Sequence, residues 1–181
     1  GDFVVENCRV DRVSTEGGQV QKLAADRRAQ DPKRVQLTAD GAFKLASDPA
    51  NPVAAPAPEP ATPYFNLAPL ENAVGKLQAS AKAFDAAYAA NGTALSPAAR
   101  DRLNVALRDI DQLLLDPRGL PGRPWYRNMI GAPGRFTGYG AKTLPGGREA
   151  IEERRFADAD TYAVITGNAL AAYAARLDSA T

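Results

Sequence analysis

Histidine is missing from all 181 positions of this chain, and that absence excludes more chemistry than any residue present supplies. Without an imidazole there is no Ser-His or Cys-His nucleophilic pair, no HExxH motif and no ordinary mixed zinc site. Acid-base work would fall to carboxylates, Lys or Tyr, and most hydrolytic machinery is ruled out. Cysteine is nearly as scarce: Cys8 stands alone, so no internal disulfide or thiolate cluster forms and the redox compartment stays open. A dominant sign of charge is lacking too. With 22 basic and 21 acidic residues there is no global field to attract nucleic acid or an anionic membrane. No run approaches the roughly 18 apolar residues of a membrane span, and no basic start leads into an apolar stretch. The chain is therefore expected to be soluble, with no membrane partner. It opens GDFVV without an initiating Met, which reads as a processed product or an excised piece of something longer.

What is present is helical periodicity around one irregular stretch. The length suits a single domain over residues 1–181. Phe3, Val10, Val13, Val20 and Leu23 fit one apolar helix face over residues 2–29, although Gly17 and Gly18 each weaken it by about 1 kcal/mol relative to Ala. QDPKR is expected to break that helix, and Val35–Ala46 to form a shorter second one with Leu37, Phe43 and Leu45. Residues 49–63 hold six prolines, an extended strap that serves as a linker or lies across the surface. From Asn66, the spacing of Leu67, Leu70, Val74, Leu77, Ala81, Phe84 and Tyr88 predicts an amphipathic helix ending near Asn91 and Gly92. Ser96-Pro97 opens another, through Leu103, Leu107, Ile110 and Leu114. So short a connection predicts that these two helices pack antiparallel. GREAIEERR reads as a short helix, and Asp158–Asp178 as a long one with Tyr162, Ile165, Ala169, Tyr173 and Leu177 inward. The fold class is thus all-α: a helical bundle with a Pro-rich strap and a long Gly/Pro-rich functional loop over residues 116–146.

Residues 115–146 concentrate the only Trp, four Arg and seven Gly, and such loops usually carry function. GRFTGYGAKT, at 134–143, has a passing likeness to a phosphate loop, but Ala141 precedes Lys142 and Leu144-Pro145 follows Thr143 where a helix should start. Arg118, Arg123, Arg127, Arg135 and Lys142 among Trp125, Tyr126, Phe136 and Tyr139 are the right types for single-stranded nucleic acid. PWYR between prolines reads better as anchoring: Trp125 and Tyr126 tucked against helices, with Arg123 and its neighbours tying the loop to carbonyls and helix ends. Glu149, Glu152 and Glu153 share one side of a short helix with the spacing of a cation site. Arg148, Arg154 and Arg155 beside them favour a solvated, salt-bridged face over a metal.

DPRGLPGRPWYR, then GAPGRFTGYG, then LPGGREAIE and a final Ala-rich helix occur in an order that resembles the C-terminal transferrin-receptor-like dimerisation domain of glutamate carboxypeptidase II-type zinc peptidases. The resemblance runs from Asn66 to Asp178 and extends less closely over the strap and the first helix. It implies a bundle at the end of a longer chain whose partner domain carries a co-catalytic zinc pair. The ligands there include His, so this chain has no catalytic residue, no metal site and no cofactor of its own, and hydrolyses nothing by itself. It further implies a homodimer, and a loop that reaches back to close the substrate cleft over a peptide. The partners are then a second subunit, the catalytic domain of the same parent and the peptide, with no nucleic acid. An Asn-Lys-Tyr element that holds a terminal glutamate in the family corresponds here to Thr137, Gly138 and Tyr139. Tyr139 matches, and its phenol suits a carboxylate with a bond worth about 1.5 to 3 kcal/mol, or equally a structural bond to backbone. The cation is absent at Gly138, leaving Arg135 and Lys142 as nearby replacements. Compartment rests on family analogy alone, periplasmic or extracellular. The rival readings are a non-catalytic helical adaptor and, more weakly, single-strand nucleic-acid binding.

Overall fold

Two helices form the core because their small and apolar residues recur every three or four positions. The computed structural model describes residues 7–45, 47–138 and 140–181, with side chains from residue 13 onward except those of 14, 16 and 45. The expectations for Phe3, for Tyr139 and for the side chains of Val10 and Leu45 lie outside the described residues. Six helices run in chain order: α1 (Asn7–Ala39), α2 (Ala42–Leu45), α3 (Ala68–Asn91), α4 (Pro97–Arg108), α5 (Pro145–Glu152) and α6 (Phe156–Ala180). Helix α3 buries Leu70, Ala73, Val74, Leu77, Ala81 and Phe84. Against it lies α6, which buries two faces. Ala159, Ala163, Leu170, Ala174 and Leu177 join the main core, and Tyr162 and Ile165 join a second cluster under the loop. Each fully buried Leu contributes about 1.5 to 3 kcal/mol.

Helix α1 corrects the expected break at QDPKR: it continues through Pro32 to Ala39 before a turn at Gly41 and the short α2. A proline inside a helix costs about 3 kcal/mol, because it removes an amide donor and crowds the preceding turn. Tertiary contacts offset that cost next door. The Thr62 amide and hydroxyl donate to Asp31 Oδ2 at 2.7 and 2.6 Å, and Arg154 Nη2 pairs with Asp31 Oδ1. Arg154, itself in a left-handed backbone conformation with φ 58°, also donates to the Pro60 carbonyl at 2.8 Å and pairs with Glu59 at 2.6 Å. Arg34 reaches Glu59 at 2.8 Å, and Arg28 the Pro63 carbonyl at 3.2 Å. The strap is thus exposed along residues 51–61 and fastened at 59–63 to α1 and to the chain just after α5.

This clamp sets a pH dependence. The Arg154 guanidinium hydrogen-bonded to Asp31, helped by the Thr62 donors and opposed by burial, holds the Asp31 carboxyl well below the usual aspartate range. A lowered folded-state value contributes stability above the unfolded value, about 4, that is lost as pH falls through the folded one. Asp31→Asn is therefore expected to lower stability at neutral pH by about 1 kcal/mol. In urea melts from pH 7 down to pH 2, its deficit against the parent chain should shrink below pH 4; a deficit constant with pH would refute the linkage.

Ser96 caps α4 as its sequence predicts, accepting from the Ala99 amide at 3.3 Å. The expected antiparallel pairing of α3 with α4 is not what forms. Helix α4 lies on α6, whose Arg176 donates to the Ala106 carbonyl at 3.1 Å, and gives way at Arg108 to a 3-10 turn over Ile110–Leu114. The physical reason is competition: the long small-residue face of α6 covers the α3 stripe, and Leu107 is the one buried residue of α4. A two-stranded hairpin, β1 (Gly131–Pro133) with β2 (Ala141–Thr143), is the only sheet among the described residues.

Candidate functional site

The stretch read as irregular is assembled from short antiparallel pairings. Asp116 N–H donates to the Arg127 carbonyl and Met129 N–H to the Leu114 carbonyl, both at 2.9 Å, and Leu120 N–H to the Tyr126 carbonyl at 3.0 Å. Leu120, Met129 and Ala132 are buried with Tyr162 and Ile165 of α6, and the Tyr162 hydroxyl donates to the Gly119 carbonyl at 2.5 Å. Burial raises the Tyr162 phenol above its ordinary value, with Asp158 and Asp116 adding to the shift. So a leucine, the chain's only methionine and a tyrosine from another helix hold the loop down. Trp125 does not: it is 68% exposed, which overturns its reading as an anchor. It is the polar flank of PWYR that goes inward. Tyr126 is half-buried against the cluster, and Arg123, 5.3 Å from the Tyr126 ring centre, is buried.

Beneath the hairpin runs a network of charges. Arg123 Nη1 donates to the Pro133 carbonyl at 2.5 Å, and its Nη2 pairs with Glu149 Oε2 at 2.6 Å. The other Glu149 oxygen accepts the Arg135 amide at 2.9 Å. Glu149 is 2% exposed, so the carboxylate read as part of a solvated face is instead the buried root of the hairpin. Glu153 accepts from Arg135 Nη1 at 2.8 Å and Arg155 Nε at 3.0 Å, and Glu152 pairs with Lys142 and, at 3.5 Å, with Arg148. Each of the three glutamates faces a cation. No group of three His, Cys, Asp or Glu side chains among the described residues is placed to hold a metal ion.

Above that root, β1 and β2 pair in the register Gly131 with Thr143, Ala132 with Lys142 and Pro133 with Ala141. Gly134 N–H donates to the Gly140 carbonyl at 3.1 Å and Gly138 N–H to the Gly134 carbonyl at 3.2 Å, closing the tip. Phe136 is 81% exposed there, and Thr137 and Gly138 are exposed beside it. Gly138 has φ 60°, a conformation a side-chain-bearing residue adopts only with strain. The two cations that sequence reading offers as replacements are engaged: Arg135 with Glu153, Lys142 with Glu152. Arg118 is likewise held by Asp116, at 2.8 and 2.7 Å. Four of the loop's five basic residues, Arg118, Arg123, Arg135 and Lys142, therefore carry internal counter-charges, which leaves little for a phosphate backbone. Sequence reading missed Leu120 and Met129 and misread Glu149 as part of a solvated face. It placed Tyr162 inward, as found, but not its bond to the loop, which no local pattern signals.

The transferrin receptor-like dimerisation domain family matches residues 65–178. Over 80 residues the chain is 36% identical to a protein of Arthroderma benhamiae named "Probable glutamate carboxypeptidase", covering 44% of this chain and 11% of that protein. Over 53 residues it is 38% identical to "Probable glutamate carboxypeptidase LAMP1" of Arabidopsis thaliana, covering 29% of this chain and 8% of that protein. The chain thus spans a small part of the length of either relative. The matched residues begin just ahead of α3 and take in α4, the hairpin, α5 and nearly all of α6. Covering more than half of the sequence, they show that this chain belongs to the transferrin receptor-like dimerisation domain family.

Proposed function

We propose that this domain pairs two copies of a peptidase-like protein and holds a hairpin over the substrate cleft of the parent's catalytic part. The observation that carries the reading is the contrast within the loop. Its root is fixed by a buried ion pair and by Tyr162, and its tip is uncovered. A rigid root with an exposed tip is the build of a segment that completes a neighbouring surface rather than one that works alone. Carboxypeptidase names among the relatives support a peptidase parent. In this reading zinc chemistry belongs to the catalytic part, where His ligands stand, and this chain supplies pairing and closure.

The pairing half is tested by the solution mass of this chain across a dilution series, measured by light scattering. A species of twice 19.1 kDa that persists on dilution is the expected result. A monomer at every concentration would overturn pairing through this domain alone and favour a non-catalytic adaptor.

A further inference from the structure

Among the described residues, two other than glycine have a left-handed backbone, and they bracket α5: Leu144 with φ 51° just before it and Arg154 with φ 58° just after. A side chain is strained there, and such a conformation persists only where its surroundings over-determine it. For Leu144 burial supplies the reason, since it is 2% exposed within the main core. Arg154 stands where a helix end ordinarily carries glycine. Its amide donates to the Ile151 carbonyl at 3.3 Å and the Arg155 amide to the Ala150 carbonyl at 2.8 Å, the two bonds that wrap the last turn of α5. What holds an arginine in that place is its side chain, 12% exposed, and most of what it touches is strap. It pairs with Glu59 at 2.6 Å and donates to the Pro60 carbonyl at 2.8 Å. Its partner on α1, Asp31, is itself fixed by the amide and hydroxyl of Thr62.

We propose that the strap is a latch on the hairpin: residues 59–62, docked on Arg154 and Asp31, keep the Arg154 backbone left-handed, and that turn holds Glu152 and Glu153 where the hairpin's cations meet them. The two residues just before the turn are the ones the hairpin uses. Glu153 takes Arg135 at the start of the tip, at 2.8 Å, and Glu152 takes Lys142 of β2. When the strap leaves, Arg154 loses the contacts that oppose its strain, the last turn of α5 unwraps and both acceptors shift. The strap is built to leave. Residues 51–61 are exposed throughout and the Glu59 side chain is 45% exposed, so little buried apolar surface opposes release. The bonds that fasten it go to α1 and to Arg154, so the route from strap to hairpin runs through this one turn. The latch operates whatever the hairpin tip meets, and so stands apart from the cleft-closing reading.

The test is amide hydrogen exchange on the 181-residue chain, comparing the hairpin amides of Gly134 and Arg135 with the core amides of Leu77 and Leu170. The strap variant Glu59→Ala with Thr62→Val alters no residue of the hairpin or of α5, yet it is expected to speed hairpin exchange about tenfold or more relative to the core. Arg154→Ala should do the same. Arg154→Gly is the decisive variant, because glycine adopts the left-handed turn without help from the strap. There the Thr62 amide should exchange faster while the hairpin-to-core ratio stays that of the parent chain. A strap variant with an unchanged ratio would overturn the latch, and so would equal acceleration of hairpin and core, which would make the strap a general stabiliser. An Arg154→Gly variant that loosens the hairpin as much as Arg154→Ala would overturn it too, by showing that the left-handed turn is not what transmits the strap's hold.

Discussion

Glu149→Ala is expected to lower the stability of this domain by about 3 to 5 kcal/mol, the cost of leaving a buried charge without its partner. The side chains of Arg123 and Glu149 are 10% and 2% exposed, so water cannot substitute for the missing carboxylate. Two donors lose their acceptor at once. The Arg123 guanidinium keeps only the Pro133 carbonyl, and the Arg135 amide at the start of the hairpin tip is left bare. Urea unfolding should show a lower midpoint at unchanged m-value. The double replacement Arg123→Met with Glu149→Leu should recover most of the stability, because an apolar pair of similar volume removes the desolvation cost of both ions. It should not recover the hairpin, whose root would still lack the bonds to Pro133 and Arg135. Amide exchange at Arg135 and Gly138 is therefore expected to remain fast in the double variant when global stability has returned. A loss below about 1 kcal/mol in Glu149→Ala would show that the pair is solvated and that the hairpin is held otherwise.

How much of this was legible depends on whether a feature is local. The stripes of α3 and α6 and the Ser96 cap follow from spacing and from one hydroxyl beside a first-turn proline, so sequence reading found them. Pro32 was misread because its local cost is real. What offsets it, Thr62 and Arg154 on Asp31, comes from residues far along the chain that no window around Pro32 contains. The antiparallel α3–α4 pair failed for the same reason, since α6 competes for the same face from sixty positions downstream. The loop inverted a general expectation. Large aromatics are usually the inward residues and arginines the outward ones, but here Trp125 is outside and Arg123 inside. An arginine goes in only where a carboxylate waits, and Glu149 sits in a run of alternating charges that reads as surface. Its neighbours Glu152 and Glu153 do remain partly exposed, so composition could not single out the third.

The second large effect lies where α3 and α6 touch, and there the usual rule for glycine changes sign. In an exposed helix, replacing Gly by Ala stabilises by about 1 kcal/mol. Gly75 of α3 meets that description: it is exposed, and a Cβ there would have nothing within 4 Å. Gly75→Ala should raise stability. Gly167 of α6 is buried, and a Cβ there would stand 2.7 Å from the Pro69 carbonyl oxygen and 3.0 Å from its carbon. Both are backbone atoms that cannot rotate aside, and Pro69 is held by its own ring in the first turn of α3. The helices must then separate along the main core of the domain. Gly167→Ala is expected to lose about 1 to 2 kcal/mol net of its propensity gain, and Gly167→Val about 3 kcal/mol or more. The loop should feel the shift, because the same helix carries Tyr162, whose hydroxyl holds the Gly119 carbonyl. Thermal melts of the three variants give opposite signs for the alanine substitutions if close approach is what Gly167 provides. A stabilised Gly167→Ala would mean that α6 moves away from Pro69 at little cost, and that the spacing of these two helices does not set the position of the hairpin.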